Sequence, residues 1–510
     1  MRVEGIFAKL FCVLATLLFA VLTYFSLVET WVNDREQISE YVYPQPDSML
    51  WNLLGLGIVL LVGILIYGLE KKQLIKGNLD IVAMVLSLAA LAFSIYWING
   101  TAAAPLADQY YIVRFAEEFE MGNTSALAQG KYVGIYQQQL GLITFIRVLY
   151  KLFGMGNYQA YQYFNAVMIP ILIFSGYQIV KQLSEDSHMA ELCYLILTAF
   201  CLPMYCYVPF VYGEIASTAL VIFAGWMLLW IEKKFSVVKV ILFSLALGVA
   251  VQLRRNVLIL VIAFGIVLLV QLLGQKKRQA LITLGGMLAG VLLFQGIING
   301  IYAKFIPEDS HSAPASVFIA MGVNSDNGMA GWHNFYDQFA FRDNGYDIEK
   351  TNQAAKEYLL DFVEHCKENP GYASEFYYNK MCSQWNAPLY QCFIMTNHRE
   401  KEQANFVTDI YIGKWRALVD WQMNLHQLVV YSGILGLLLL VRKKWTHISN
   451  YVLLIGVFGG FLFSMMWEAK TRYVFPYYLM MLPYAAVGIY ELVKFLWSIK
   501  LRKTAAVSED

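Results

Sequence analysis

The sequence predicts an all-α polytopic membrane protein, with about twelve transmembrane helices, juxtamembrane helices and a small extracytoplasmic domain. Three observations carry this. The chain of 510 residues is 58% hydrophobic and 15% charged, against about a quarter charged in soluble domains. The apolar residues gather in blocks of roughly 18–24, the length that crosses a bilayer core as helix. Finally, Lys and Arg recur in alternate short loops.

In chain order, the blocks lie near 6–28, 49–69, 79–98, 160–181, 189–207, 214–232, 236–252, 257–274, 281–301, 427–442, 451–467 and 474–497. Arg2 and Lys9 flank the first block. It is too long for a signal peptide and lacks a small-residue cleavage site, so it reads as a retained anchor. The basic loops hold Lys71, Lys72 and Lys76; Lys233 and Lys234; Lys276, Lys277 and Arg278; Arg442, Lys443 and Lys444; then Lys500, Arg502 and Lys503. The loop 29–48 instead carries Glu29, Asp34, Glu36, Glu40 and Asp47 against Arg35. The positive-inside bias then makes both termini cytoplasmic, and the odd, scattered cysteines fit a bacterial cell membrane. Residues 132–153 are apolar enough to span, but spanning would invert every later basic loop. Thr144, Arg147 and Lys151 share one helical face, so the segment reads as an amphipathic helix in the outer interface.

Three regions follow: 1–301, a transmembrane region whose outer loop 99–157 carries juxtamembrane helices; 302–425, an extracytoplasmic domain; and 426–510, a second transmembrane region. Within 302–425, one helix is expected over about 349–368, ended by Asn369-Pro370-Gly371, and another over about 372–386. A net charge of +1 gives no basic patch for nucleic acid. The seven cysteines show no paired or metal-ligand spacing.

Ionisable residues are scarce in the middles of the spans, where ion-coupled transporters hold them. They collect at the outer ends: Asp108, Glu214, Arg254, Arg255, Glu468, Lys470 and Arg472. Asp108 follows Pro105, which suits the first turn of a helix running through Phe119 to Gly122. A carboxylate there also merely complements the helix dipole. Arg254 and Arg255 occupy a short outer turn, where two guanidinium groups bind phosphate bidentately or anchor the interface by snorkelling. Glu468 and Arg472, four apart, suit a simple helical ion pair. Glu214 opens a span after Pro209 and Gly213 and is suited to a helix-start charge.

In this order the landmarks resemble the GT-C superfamily of membrane glycosyltransferases, in its bacterial branch related to protein O-mannosyltransferases and lipid A aminoarabinose transferases. Asp108-Gln109-Tyr110-Tyr111, then Ala116 and Gly122, then Leu152-Phe153-Gly154 follow the order of that family's first outer loop. Arg472-Tyr473 before Pro476 is similar to its late Arg-Tyr segment. The landmarks span most of 79–497. Gln109 stands where the family commonly has a second acidic residue, Tyr136-Gln137-Gln138-Gln139 replaces a proline-rich stretch, and two spans precede the core fold.

The resemblance implies transfer of a sugar from a polyprenyl-phosphate carrier to a glycan, lipid or protein acceptor on the outer face, with inversion. It makes Asp108 the general base. Arg254, Arg255, Arg472, Lys470 and Tyr473 are the expected phosphate-binding set, and Gln109, Tyr111, Glu214, Glu468, Trp332 and His333 possible substrate contacts. Asn324, Asp326, Asn327, Trp385 and Asn386 are further residue types that bind sugars. No cofactor is expected, and a divalent metal stays open. The rival expectations are an envelope polysaccharide polymerase or ligase, with Arg342 or His333 essential and Asp108 dispensable, and a lipid-linked-sugar transporter.

Overall fold

The computed structural model describes residues 2–33, 40–75, 77–274, 277–325, 328–399 and 404–508. Asp34, Arg35, Glu36, Lys76, Lys276, Asp326 and Asn327 lie outside the described residues, as do the side chains of Lys500, Arg502 and Lys503. Helix α1 (Arg2–Val28) leads into a hairpin, β1 (Glu29–Asn33) and β2 (Val42–Pro46), the only sheet among the described residues. The strands are antiparallel, with Glu29 opposite Pro46 and Asn33 opposite Val42. Then come α2 (Met49–Lys71), α3 (Asp80–Thr101), α4 (Asp108–Glu120), α5 (Tyr132–Ile135), α6 (Leu140–Phe153), α7 (Gln159–Leu183), α8 (His188–Ala199) and α9 (Leu202–Cys206). A third group follows: α10 (Glu214–Lys233), α11 (Val237–Leu253), α12 (Leu258–Leu272) and α13 (Lys277–Tyr302). Short helices come next: α14 (Ala315–Met321), α15 (Tyr336–Asp343), α16 (Ile348–Glu368), α17 (Pro370–Trp385), α18 (Cys392–Met395) and α19 (Phe406–Ile412). The chain closes with α20 (Arg416–Val441), α21 (Val452–Met466) and α22 (Phe475–Ser508).

Among the described residues, ten helices are long and apolar enough to cross a membrane. The expected spans 189–207 and 236–252 are shorter: α8 has 12 residues and α11 has 17. Segment 132–153 is not one long helix. Its longest piece, α6, has 14 residues and covers about 21 Å at the helical rise, short of a bilayer core of about 30 Å. Its inner face, including Ile143, Ile146 and Leu149, is buried, and Arg147 and Lys151 pair with Glu120 at 2.6 and 3.3 Å.

One end of the bundle carries Lys72, Lys234, Arg442 and Lys443. The other carries the hairpin, α4–α6 and the short helices α14–α19. Helix α20 begins at Arg416, ten residues before the expected start of the second transmembrane region at 426. The stretch 302–425 is also not one separate unit. Val317, Ala320, Ala355 and Phe376 form small clusters of their own, but Trp385, Leu389, Tyr390 and Phe393 belong to the core of the bundle. The apolar run 387–395 makes this so, since it finds burial only by descending among the spans. The two expected helices appear as α16 and α17, split at Asn369-Pro370 because proline lacks the N–H an unbroken helix needs.

Candidate functional site

The site is built where α4, α5, the turn before α10, the turn before α12 and the segment before α22 meet under the short helices. Helix α4 begins at Asp108, not at Pro105. Residues 103 and 104 instead pair with another segment: Ala103 bridges to Arg399, and the Ala104 N–H donates to the His398 carbonyl at 2.9 Å. Ala107, at φ +53°, turns the chain into the helix. Gln109 then locks the helix in place. Its amide nitrogen donates to the carbonyls of Met395 (3.1 Å) and Leu106 (3.3 Å), while its oxygen accepts from the Val211 N–H (2.8 Å). That double role requires an amide, because a carboxylate would face two carbonyls. Gln109 is therefore a fully used structural residue and not a substrate contact.

Asp108 is left with 36% of its side chain exposed. Its Oδ2 accepts from Arg472 Nη2 at 3.0 Å and its Oδ1 from the Tyr132 hydroxyl at 3.2 Å. Burial pushes this carboxyl up, but Arg472, Lys470 and Tyr132 together outweigh it and hold it below the ordinary aspartate value. Arg472 sits in a 3-10 turn, Thr471–Tyr473, entered through extended backbone at Lys470. No helix therefore links Glu468 to Arg472, and the expected helical ion pair does not form. Glu468 accepts from the Tyr473 hydroxyl at 3.1 Å, and its burial raises its carboxyl against the pull of Lys470 and Arg472. The guanidinium of Arg472 is 6% exposed, touches Met395 Sδ at 3.7 Å, and leaves its buried Nε–H without a hydrogen-bond partner.

Arg254 and Arg255 do not form a clamp. Arg254 has extended dihedrals (φ −153°, ψ 117°), which send successive side chains to opposite sides. Arg254 turns inward onto Glu214, at 2.5 Å, with both side chains buried. Arg255 turns outward and donates to Gln295 at 2.6 Å, away from the cluster. Arg254 still stands with Arg472: each guanidinium lies within 5.6 Å of the rings of both Tyr212 and Tyr473. Two cations are thus held close together by two aromatic faces. Lys470 pairs with Glu40 at 2.8 Å. Burial raises the Glu40 carboxyl, but Lys470 and Arg472 bring it below its ordinary value.

Beside Arg254 a small cavity of about 10 Å³, room for about one water, lies between α10, α12 and α22, lined by Val221, Leu260, Tyr477 and Met480. Above it, Lys380 is fully buried and donates to the carbonyls of Gly322 and Trp467, the latter at 2.9 Å. This ties the segment carrying Glu468, Lys470 and Arg472 to the short helices. His333 lies in the same field, its imidazole lowered by burial and Lys470 and raised by Asp337 and Asp108.

Trp332 is 1% exposed and its indole N–H donates to Ser383 at 3.1 Å, so it is a core residue that offers no face to a ligand. Trp385 is likewise buried, donating to Ser464. Asn386 donates to the Glu29 carbonyl, and Asn324 to the Tyr358 hydroxyl. Tyr111 is 41% exposed and stacks on Tyr132 at 4.7 Å. The structure adds Tyr132, Tyr212 and Asp337, which do not stand out in the sequence, and brings Glu40 onto Lys470 and Tyr136 onto Asp337. The Tyr132/Tyr136 spacing, one helical turn after a run of turn residues, was the one available signal. Among the described residues no three His, Cys, Asp or Glu side chains gather as a metal-ligand set.

Compared with known proteins, the chain matches no family model, no curated protein and no solved structure.

Proposed function

We propose that this protein is an inverting glycosyltransferase that moves a sugar from a polyprenyl-phosphate carrier to an acceptor hydroxyl, with Asp108 as the general base. The observation that carries the reading is the contact of a half-buried Asp108 with Arg472, a buried guanidinium with an unused donor. Arg472 and Arg254 are the phosphate-binding pair, with Tyr473 between them. Lys470 supplies charge from its place on Glu40, and Arg255 has no part.

On this reading the donor phosphate and Asp108 compete for Arg472. When the phosphate takes the guanidinium, Asp108 loses the interaction that weakens it as a base, so it becomes most basic once the donor is bound. It then removes the proton of the acceptor hydroxyl. The oxygen forms a bond to the anomeric carbon from the face opposite the phosphate, and the carbon–oxygen bond to the phosphate breaks. Arg472 and Arg254 stabilise the charge gathering on the departing polyprenyl phosphate.

The cluster end then faces outward from a bacterial cell membrane. Segments 188–206 and 237–253 complete twelve crossings, and both termini are cytoplasmic.

The test pairs purified wild type with Asp108→Asn, each given radiolabelled polyprenyl-phosphate sugars and envelope extract. Label transfer by wild type, reduced at least about 100-fold in the variant, is the expected result. Equal transfer by both proteins discards Asp108 as the base. No transfer from any donor discards the transferase. An envelope polymerase or ligase would instead depend on Arg342, whose side chain is 57% exposed and paired with neighbouring Asp343.

A further inference from the structure

Lys380, on α17, is 0% exposed. Among the described residues its amine meets two acceptors, the carbonyls of Gly322 and Trp467, the latter at 2.9 Å, and no carboxylate. An ammonium has three N–H donors and a neutral amine has two. Two acceptors therefore satisfy the amine, whereas the ammonium would keep a buried N–H without one. The space at the nitrogen is closed as well: Gly331 faces it at φ +73°, and a Cβ there would stand 2.8 Å from Nζ. Burial lowers this lysine to about 7, with Glu468 pulling the other way.

The surroundings offer little further charge. The described residues of 322–332 hold no titratable side chain, nor does α21, and the charged side chains of α16 are all exposed, as is Tyr43 on β2. Glu468 accepts from Tyr473, Lys470 pairs with Glu40 and Arg472 with Asp108. His333 stands 3.8 Å from Asp337, and on α17 itself Tyr378 and Cys382 turn to Glu29.

What Lys380 holds is the chain that leads to Arg472. Trp332 bridges in parallel to Ala469, whose N–H donates to the Gly331 carbonyl at 2.7 Å. One turn further along α17, Gln384 donates to the Ser464 carbonyl at 3.3 Å and Trp385 to the Ser464 hydroxyl at 2.9 Å. Helix α17 thus grips 464–469, just before the turn that carries Arg472.

We propose that Lys380 is the positioning residue for Arg472, and that it docks this segment as a neutral amine, giving a proton to solvent when the segment closes and taking one back when it opens. The consequence for turnover rests on the transferase reading; the docking does not. An exposed lysine titrates at about 10.4, so opening binds a proton between about 7 and that value. Opening therefore becomes easier as pH falls toward 7 and changes no further below it.

The experiment follows the docked segment directly. Wild type, Lys380→Gln and Lys380→Met are placed in lipid nanodiscs, and hydrogen exchange of the 467–473 amides is measured by mass spectrometry from pH 6 to 9, relative to unprotected amides. In wild type, protection should rise by up to about tenfold per pH unit above 7 and stay level below it. Glutamine keeps two N–H donors without titrating and methionine keeps none. Both variants should lose the rise, and Lys380→Met should also be less protected than wild type at pH 9. A wild-type profile that is level above pH 7 overturns the proposal, as does a rise that survives in either folded variant. Thermal unfolding shows which variants are folded; if neither is, the wild-type profile decides alone. Release of polyprenyl phosphate is followed in the same samples. Lys380→Met should lower kcat/KM about tenfold or more and move its acid limb to higher pH, because a displaced Arg472 acts less on Asp108. A limb unmoved in folded Lys380→Met overturns the positioning of Arg472. If wild type releases none, the transferase reading fails while the docking stands on exchange. If it does release and the exchange criteria fail, this proposal alone fails.

Discussion

Arg472, with Lys470 and Tyr132, outweighs the burial of Asp108, and that balance can be read in acid. Its carboxyl lies below the ordinary aspartate value, so its contribution to folding is present above the unfolded value and is lost as pH falls through the folded one. The same sign governs activity. The acid limb of kcat/KM in wild type should fall below the usual aspartate range, leaving the rate flat down to about pH 5. In Arg472→Gln the main opposing charge is gone and burial dominates, so the limb should move to higher pH as the maximum rate drops. A limb that does not move would detach Arg472 from the base. Arg254 separates differently. Alone, Arg254→Leu strands a buried Glu214 and should cost about 3–5 kcal/mol. Adding Glu214→Leu should return most of that in thermal unfolding. Transfer should stay low in the double variant if Arg254 binds phosphate, and should recover if the pair is only structural.

At the scale of elements, the site depends on where α5 sits. Gly134 lies between Tyr132 and Tyr136, and a Cβ there would stand 2.2 Å from the Ala128 carbonyl oxygen. Gly134→Ala must therefore shift α5 and both hydroxyls with it, although no chemical group is removed. A displacement near 1 Å costs about 100-fold in rate, so turnover should fall by that order while the bundle unfolds at nearly the wild-type temperature. What the sequence revealed here follows from the same physics. Long apolar blocks and Asn369-Pro370 act locally, so α10, α16 and α17 were readable from their own residues. Asp108, Arg472, Lys470 and Tyr473 were readable as candidates, because charge at a helix end is unusual. Their partners were not. Arg472 lies 364 residues from Asp108 and Lys470 lies 430 from Glu40, distances that no periodicity bridges. The start of α4 was misplaced because tertiary pairing of residues 103 and 104 with 398 and 399 overrides the preference of Pro105 for a first turn. The Arg254-Arg255 pair was misread because adjacency in sequence says nothing of direction when the backbone is extended.

For the whole molecule, the charge pattern and the helix lengths make separate statements about sidedness, and α6 is where they can be set against each other. If α6 crossed the bilayer, Asn123 and Asn157, which flank 124–156, would lie on opposite sides. If it lies in the interface, they share a side, opposite to Lys72 and Lys443. All four side chains are exposed. Of the seven cysteines six are buried, and Cys366 is half-buried, so Cys366→Ser gives a quiet background for single cysteines at these positions. An impermeant maleimide added to intact cells should label Asn123→Cys and Asn157→Cys, and should reach Lys72→Cys and Lys443→Cys only after the membrane is opened. Labelling of Asn123→Cys without Asn157→Cys would make α6 a crossing, whatever its 14 residues suggest. It would also carry the basic ends of α10, α13 and α20 outward, against the usual bias. Labelling of all four from outside would remove the sidedness argument and with it the outward-facing site. The expected pattern puts Asp108 and Arg472 on the face where a lipid-borne sugar and a hydrophilic acceptor can both arrive.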